Sequence, residues 1–136
     1  MISKKTKYGL KALIHLAGYD AQERVQISSI SEKEKIPRKF LESIMLELKK
    51  AGYLGARKGK GGGYYLLKEP SKISISEIYR VLEGPIAPVP CDSLNFYEKC
   101  EDCSNESTCE VHLLMVKVRD SALDIYNNTF ISDIIK

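Results

Sequence analysis

No apolar run in this 136-residue chain approaches the ~18 residues that a membrane span needs. The charged opening Met1-Ile2-Ser3-Lys4-Lys5 has no apolar segment behind it of the kind that directs secretion, so the expected location is cytoplasmic, with no membrane partner. Internal repeats and low-complexity tracts are lacking, and the length excludes two large domains. What remains is one domain, or a small domain with an appendage, around a single modest core. No Ser/His/Asp set or paired-carboxylate arrangement stands out, so the chain is not read as an enzyme. Cysteine is absent outside positions 91 to 109. Cytosolic thiols are kept reduced, which points such a cluster away from disulfides and toward metal or redox chemistry.

The net charge of +3 hides an asymmetry. Residues 1 to 72 carry 16 Lys and Arg against 7 Asp and Glu, whereas residues 73 to 136 carry 5 against 11. The first half is therefore a candidate polyanion-binding half.

From Thr6 to Gly18, apolar Tyr8, Ala12, Leu13, Leu16 and Ala17 recur at helical spacing opposite Lys4, Lys7, Lys11 and His15. This predicts a first helix with a basic outer face, His15 being a solvated side chain. Beyond a loop around Asp20 to Gln26, Ser28 or Ser29 is placed to cap a short helix reaching about Lys35, with Glu32 completing a capping box to Ser29. Ile36-Pro37 interrupts it, and Arg38 to Ala51 carries Phe40, Leu41, Ile44, Met45 and Leu48 at helical spacing until Gly52. Two short helices joined by a tight turn outline a helix-turn-helix.

Short strands at Tyr53-Leu54 and Tyr64 to Leu67 flank a glycine-rich segment, predicting a β-hairpin with the basic tip Arg57-Lys58-Gly59-Lys60. The tip lacks the Gly-Lys-Ser/Thr ending of a phosphate loop and a strand follows it, so a wing is favoured over a nucleotide site. After Pro70, Ser74 with Glu77 caps a helix carrying Ile75, Ile78, Tyr79 and Leu82 up to Gly84. Residues 84 to 106, rich in proline and polar groups, are read as a loop without a core element. From about Ser107 to Asn127 a long helix carries the stripe Val111, Leu114, Met115, Val118, Ala122 and Ile125, and Thr129 to Ile135 adds a last apolar turn. Such a stripe suits pairing with the same helix of a second subunit, because two-fold dimers read two half-sites.

The second helix of a helix-turn-helix presents its N-terminal residues to base edges and phosphates. The candidates are Arg38, Lys39, Phe40, Glu42 and Ser43, with Ser28 from the preceding helix and Arg57, Lys58 and Lys60 from the wing. Candidate metal ligands are Cys91, Cys100, Cys103, Cys109 and His112, the last one helical turn beyond Cys109. Thiolates bind zinc and iron-sulfur clusters alike, and Cys100-x2-Cys103 is a spacing found in both. Residue chemistry alone favours zinc. A thioredoxin-like pair is disfavoured, since no βαβ pattern surrounds it.

The order of parts resembles the IscR/NsrR/CymR family of bacterial winged-helix regulators across nearly the whole chain. The likeness lies in Lys7-Tyr8-Gly9-Leu10-Lys11-Ala12-Leu13, Ile27 to Ser31, Ile36-Pro37 through Phe40-Leu41-Glu42, Lys58-Gly59-Lys60-Gly61-Gly62-Gly63-Tyr64, Ile75 to Pro85 and the cysteine loop. The resemblance implies a homodimer whose long helices cross, bound to a double-stranded DNA operator. In the cluster-bearing members it further implies an iron-sulfur cluster, 2Fe-2S before 4Fe-4S, held by three loop cysteines and one further ligand. That reverses the preference for zinc, which stays as the alternative. Cys103, Cys109 and His112 match the last two cysteines and the histidine of the IscR type, and Cys91 lies where its first cysteine would be.

Three departures from the pattern are visible. Lys58 and Lys60 stand where the family has arginine and proline, Lys7 stands where the nitric-oxide sensors have an acidic ligand, and Cys100 is extra. The fourth ligand is Cys100 or His112. The expected fold is mainly α with a small β-hairpin wing: a winged helix-turn-helix over 1–84, a cysteine-rich cluster loop over 85–110, and a dimerisation helix with its C-terminal turn over 111–136. The expected function is operator binding governed by a cluster that senses redox, nitric oxide or iron-sulfur status. Its rivals are a zinc- or thiol-based regulator and an iron-sulfur electron-transfer or assembly protein.

Overall fold

The chain is described over residues 2–135 by a computed structural model. Among these residues are five α-helices and one antiparallel hairpin, the winged-helix arrangement expected from the sequence. α1 (Lys4–Ala17) starts where the Ser3 hydroxyl accepts the Thr6 N–H at 3.3 Å, and it buries Ala12, Leu13 and Leu16. α2 (Ile27–Glu34) ends at Lys35 in the left-handed region (φ 56°). The Ile36 N–H then donates to the Ser31 carbonyl at 3.0 Å and the Ser31 hydroxyl to the Ile36 carbonyl at 2.7 Å. Those two bonds fix the turn into Pro37 and α3 (Arg38–Lys50), whose Leu41, Ile44, Met45 and Leu48 are fully buried.

The wing pairs β1 (Leu54–Arg57) with β2 (Gly63–Leu66) in the register Leu54 to Leu66 and Arg57 to Gly63. Val25 and Tyr64 exchange both backbone hydrogen bonds, at 2.9 and 2.8 Å, so the α1–α2 loop extends the hairpin. Gly63 allows this approach: its φ is 145°, and a Cβ there would lie 2.7 Å from Val25 backbone atoms.

α4 (Ile75–Leu82) opens with the Ser74/Glu77 capping box anticipated from the sequence. It crosses α1 at Gly9, where a side chain would collide with buried Leu82. α5 (Glu110–Asn128) leans on α4 through the Tyr126 and Tyr79 rings, 5.3 Å apart. The chain then returns to the core. The Ile75 N–H donates to the Thr129 carbonyl and the Ile131 N–H to the Ile73 carbonyl, both at 2.9 Å, and Ile131 is fully buried.

Several expectations are corrected. His15 is buried, its side chain only 3% exposed, because α2 lies over that face of α1 and brings Glu34 to 3.2 Å from its Nδ1. Neither Ser28 nor Ser29 caps α2. Pairing of Val25 with Tyr64 delivers extended backbone to Gln26, whose carbonyl takes the Ser29 and Ile30 N–H groups without side-chain help. α5 begins at Glu110 rather than near Ser107, since 106–108 form a separate turn capped by Asn105. The apolar stripe divides between two faces: Met115 and Ala122 are half-buried, whereas Val111, Leu114, Val118 and Ile125 are exposed. The 84–106 loop does reach the interior, through Ile86, Asp92 and Ser93.

Candidate nucleic-acid interface and cysteine pocket

Along the first turns of α3, Arg38, Lys39, Glu42 and Ser43 are exposed, with Arg38 Nε 3.5 Å from Glu42 one turn on. An exposed pair of this kind is weak, so neither group is locked to the other. The Ser43 hydroxyl donates to the Phe40 carbonyl at 2.8 Å. Phe40 itself is half-buried and meets Tyr8 edge-on at 5.6 Å, so it braces α3 against α1. Ser28 is half-buried within α2. Arg57, Lys58 and Lys60 project from the wing tip, which the Gly62 N–H closes onto the Gly59 carbonyl at 3.0 Å. Near the base of the wing, the Arg24 guanidinium lies 3.8 Å from the Tyr65 ring centroid, a cation–π contact with no sequence motif behind it. Lys5 is engaged internally by Glu47 at 2.7 Å.

At the N-terminal end of α5 lies a cavity of 690 Å³ whose lining includes Cys91, Cys100, Cys103, Cys109 and His112. Residues spread over 22 positions are thus brought to one place. Within it they form two sets. Cys91 Sγ is 3.3 Å from His112 Nδ1, and Cys109 Sγ, the cap of α5, accepts the His112 N–H at 3.5 Å. The other two lining cysteines, Cys100 and Cys103, belong to a turn in which the Cys103 N–H donates to the Cys100 carbonyl at 3.2 Å. The Cys100 thiol is bound to Asp102 at 2.8 Å.

Burial pushes the Cys91 thiol above its ordinary range, with the Glu106 and Asp92 carboxylates adding to the effect. The hydrogen bond to Asp102 raises Cys100 in the same direction. Any metal or cluster would therefore have to displace protons from these thiols. Among the described residues no three His, Cys, Asp or Glu side chains converge as a metal-binding group. The donor set, thiols plus imidazole facing one cavity, fits iron or zinc in kind.

Two features beside the cavity have no counterpart in the sequence pattern. Asp92 is 1% exposed, and neither carboxylate oxygen has a hydrogen-bond partner among the described residues. Its carbonyl accepts from Arg119 Nη1 of α5 at 2.6 Å, tying the loop to that helix. Adjacency to Cys91 was the only sequence signal available.

Comparison with known proteins is decisive for the family. The model described as "Rrf2: Iron-dependent Transcriptional regulator" matches residues 2–136. The chain belongs to the Rrf2 family. An rrf2-like HTH-type transcriptional regulator of Rhodobacter capsulatus is 40% identical over 138 residues, covering 99% of this chain and 92% of that protein. The structure of CymR, described as the global cysteine regulator of B. subtilis, superposes with a TM-score of 0.80 at 32% identity, over 98% of this chain and 95% of that one. The T. potens IscR structure gives 0.76 at 26% identity, over 98% and 85%. This Rrf2 member is accordingly an HTH transcription regulator, and its family implies DNA binding. No helix among its described residues is long and apolar enough to cross a membrane.

Proposed function

We propose that this Rrf2 regulator is a homodimer whose operator affinity is set by an iron-sulfur cluster held in the 690 Å³ cavity. The observation that carries the proposal is the gathering of all four cysteines and His112 around that one cavity. Cys91, Cys103 and Cys109 would hold the cluster, 2Fe-2S before 4Fe-4S, with His112 or Cys100 as the fourth ligand. When bound, the cluster supplies a redox- and nitric-oxide-sensitive centre whose potential follows its ligands and hydrogen bonds. Residues 1–84 read DNA: Arg38, Lys39, Glu42 and Ser43 at the major groove, with Ser28 and Phe40 beside them, and Arg57, Lys58 and Lys60 through the wing. Residues 85–110 sense, and 111–136 pair the subunits through the exposed Val111, Leu114, Val118 and Ile125 face.

Anaerobic purification tests this directly. The expected protein is coloured, with iron and acid-labile sulfide in matched amounts and salt-dependent binding to a specific duplex that changes when the cluster is removed. Colourless, iron-free protein with the same operator binding would overturn the reading. A thiol-based regulator without a cluster is the second reading, favoured by the likeness to CymR and by the direct Cys91 to His112 contact at 3.3 Å.

A further inference from the structure

Five donors line the cavity, one more than the three loop cysteines and further ligand of the proposed site. The division into two sets identifies the surplus one. Cys91 and Cys109 both touch His112, at 3.3 and 3.5 Å, and are thereby anchored to α5. Cys100 stands apart, exposed and bound only to Asp102 of its own turn, while Cys103 is half-buried behind it. A turn closed by an i to i+3 hydrogen bond, here 3.2 Å from the Cys103 N–H to the Cys100 carbonyl, keeps its end Cα atoms within about 7 Å. Disulfides span Cα separations of about 4.4–6.8 Å. Residues 94–102 contain no helix or strand, so small adjustments of the turn leave the fold intact.

We propose that Cys100 and Cys103 form a regulatory dithiol that closes to a disulfide when the cavity lacks its cluster. The proposal rests on the cluster reading, because Cys103 is a ligand there, and it makes Cys100 the attacking thiol of the pair instead of a ligand. The oxidant is a low-molecular-weight disulfide. Exposed Cys100, as thiolate, attacks one sulfur of the oxidant, forming a mixed disulfide and releasing one thiolate. Cys103, as thiolate, attacks the Cys100 sulfur, the mixed bond breaks, and the second thiolate leaves. The two protons lost by the cysteines end on the two released thiols. Oxidation removes Cys103 from the ligand set, so the disulfide would hold the site empty until it is reduced.

The test uses the full chain, freed of iron by chelation, treated with oxidised glutathione, blocked with a thiol reagent and cut after glutamate. Cleavage at Glu98, Glu101 and Glu106 separates Cys91, Cys100, Cys103 and Cys109 onto different peptides. The expected product is the Cys100 peptide joined to the Cys103 peptide, absent in Cys100→Ser and suppressed when the cluster is present. Linkage of either residue to Cys91 or Cys109 instead, or all four thiols remaining free, overturns the proposal. Cys100→Ser should also take up iron and sulfide as the native chain does. If that variant is folded by circular dichroism yet colourless while the native chain is coloured, Cys100 is a ligand and the proposal fails. Should neither the native chain nor Cys100→Ser bind a cluster while the Cys100 to Cys103 link forms, the cluster reading fails and the coupling of the disulfide to cluster loss fails with it.

Discussion

From α1 to α4 the side chains that hold the fold are apolar and closed off from water: Leu13, Ile30, Leu41, Ile44, Met45, Leu48 and Ile78 are fully buried. Between Glu83 and Cys109 the inventory is different. Only Ile86, Asp92 and Ser93 are buried, and polar contacts tie the segment down, among them Arg119 to the Asp92 carbonyl and Tyr97 to Glu106. The first region is held by buried apolar surface that the returning Ile131 completes, whereas the second relies on individual hydrogen bonds of modest net worth. The proposed sensing role would benefit from that contrast, since the responsive part would be the part with least to lose on rearrangement.

Core truncation should give the largest effect. Leu41→Ala removes a fully buried side chain and should cost about 2–5 kcal/mol in chemical denaturation. Cys103→Ala in metal-free protein should cost less than about 1 kcal/mol. An equal loss from both would erase the distinction between the regions. Next, Val118→Glu places like charges together on the exposed α5 face, where the side chain is 46% exposed in the single chain. It should give monomers in sedimentation with operator binding weakened at least tenfold, while the thermal unfolding of the α1–α4 region changes little. A dimer that survives would place the subunit contact elsewhere.

A smaller effect is expected at the wing. Replacing Lys58 and Lys60 by Ala should weaken binding to all duplexes alike and flatten the log–log salt dependence by about 2 units if both contact phosphates. Glu42→Ala should instead alter base preference. The smallest effect concerns acid. Burial raises the Glu77 carboxyl, but hydrogen bonds from the Ser74 backbone and side chain, and then from Tyr53, outweigh it, and the net shift is downward. A carboxylate lowered in the folded state stabilises above its ordinary range and loses that contribution as pH falls through its folded value. Ser74→Ala should cost about 1 kcal/mol near neutrality and reduce the acid sensitivity of unfolding. An unchanged acid limb would show that the capping box is not what sets it.

Local signals were legible: the Ser74 and Glu77 spacing, the glycine-rich wing tip, and the Ile36-Pro37 interruption all correspond to the observed elements. Each is decided within a few residues. Features decided by distant partners were not. His15 looks like a polar position on a surface helix until α2 is laid across it, and the start of α2 depends on Tyr64, some forty positions away. Spacing nominated every cysteine that lines the cavity, yet the split between the His112 set and the Cys100 turn follows from how the loop folds back. For Asp92 the one signal, adjacency to Cys91, said nothing of burial.

The backbone bonds from Ile75 to Thr129 and from Ile131 to Ile73 fasten only one end of α5. With 19 residues the helix is about 28 Å long; Arg119, at its middle, holds the Asp92 carbonyl, and His112 in its first turn meets Cys91. Under the proposed sensing role, displacement at the cysteine end would be delivered as a swing about the end fastened near Thr129. At this radius a 1 Å movement is a turn of only about 2°, so on the proposed reading the helix would act as a long lever that converts a small chemical change at Cys109 into a graded change of heading.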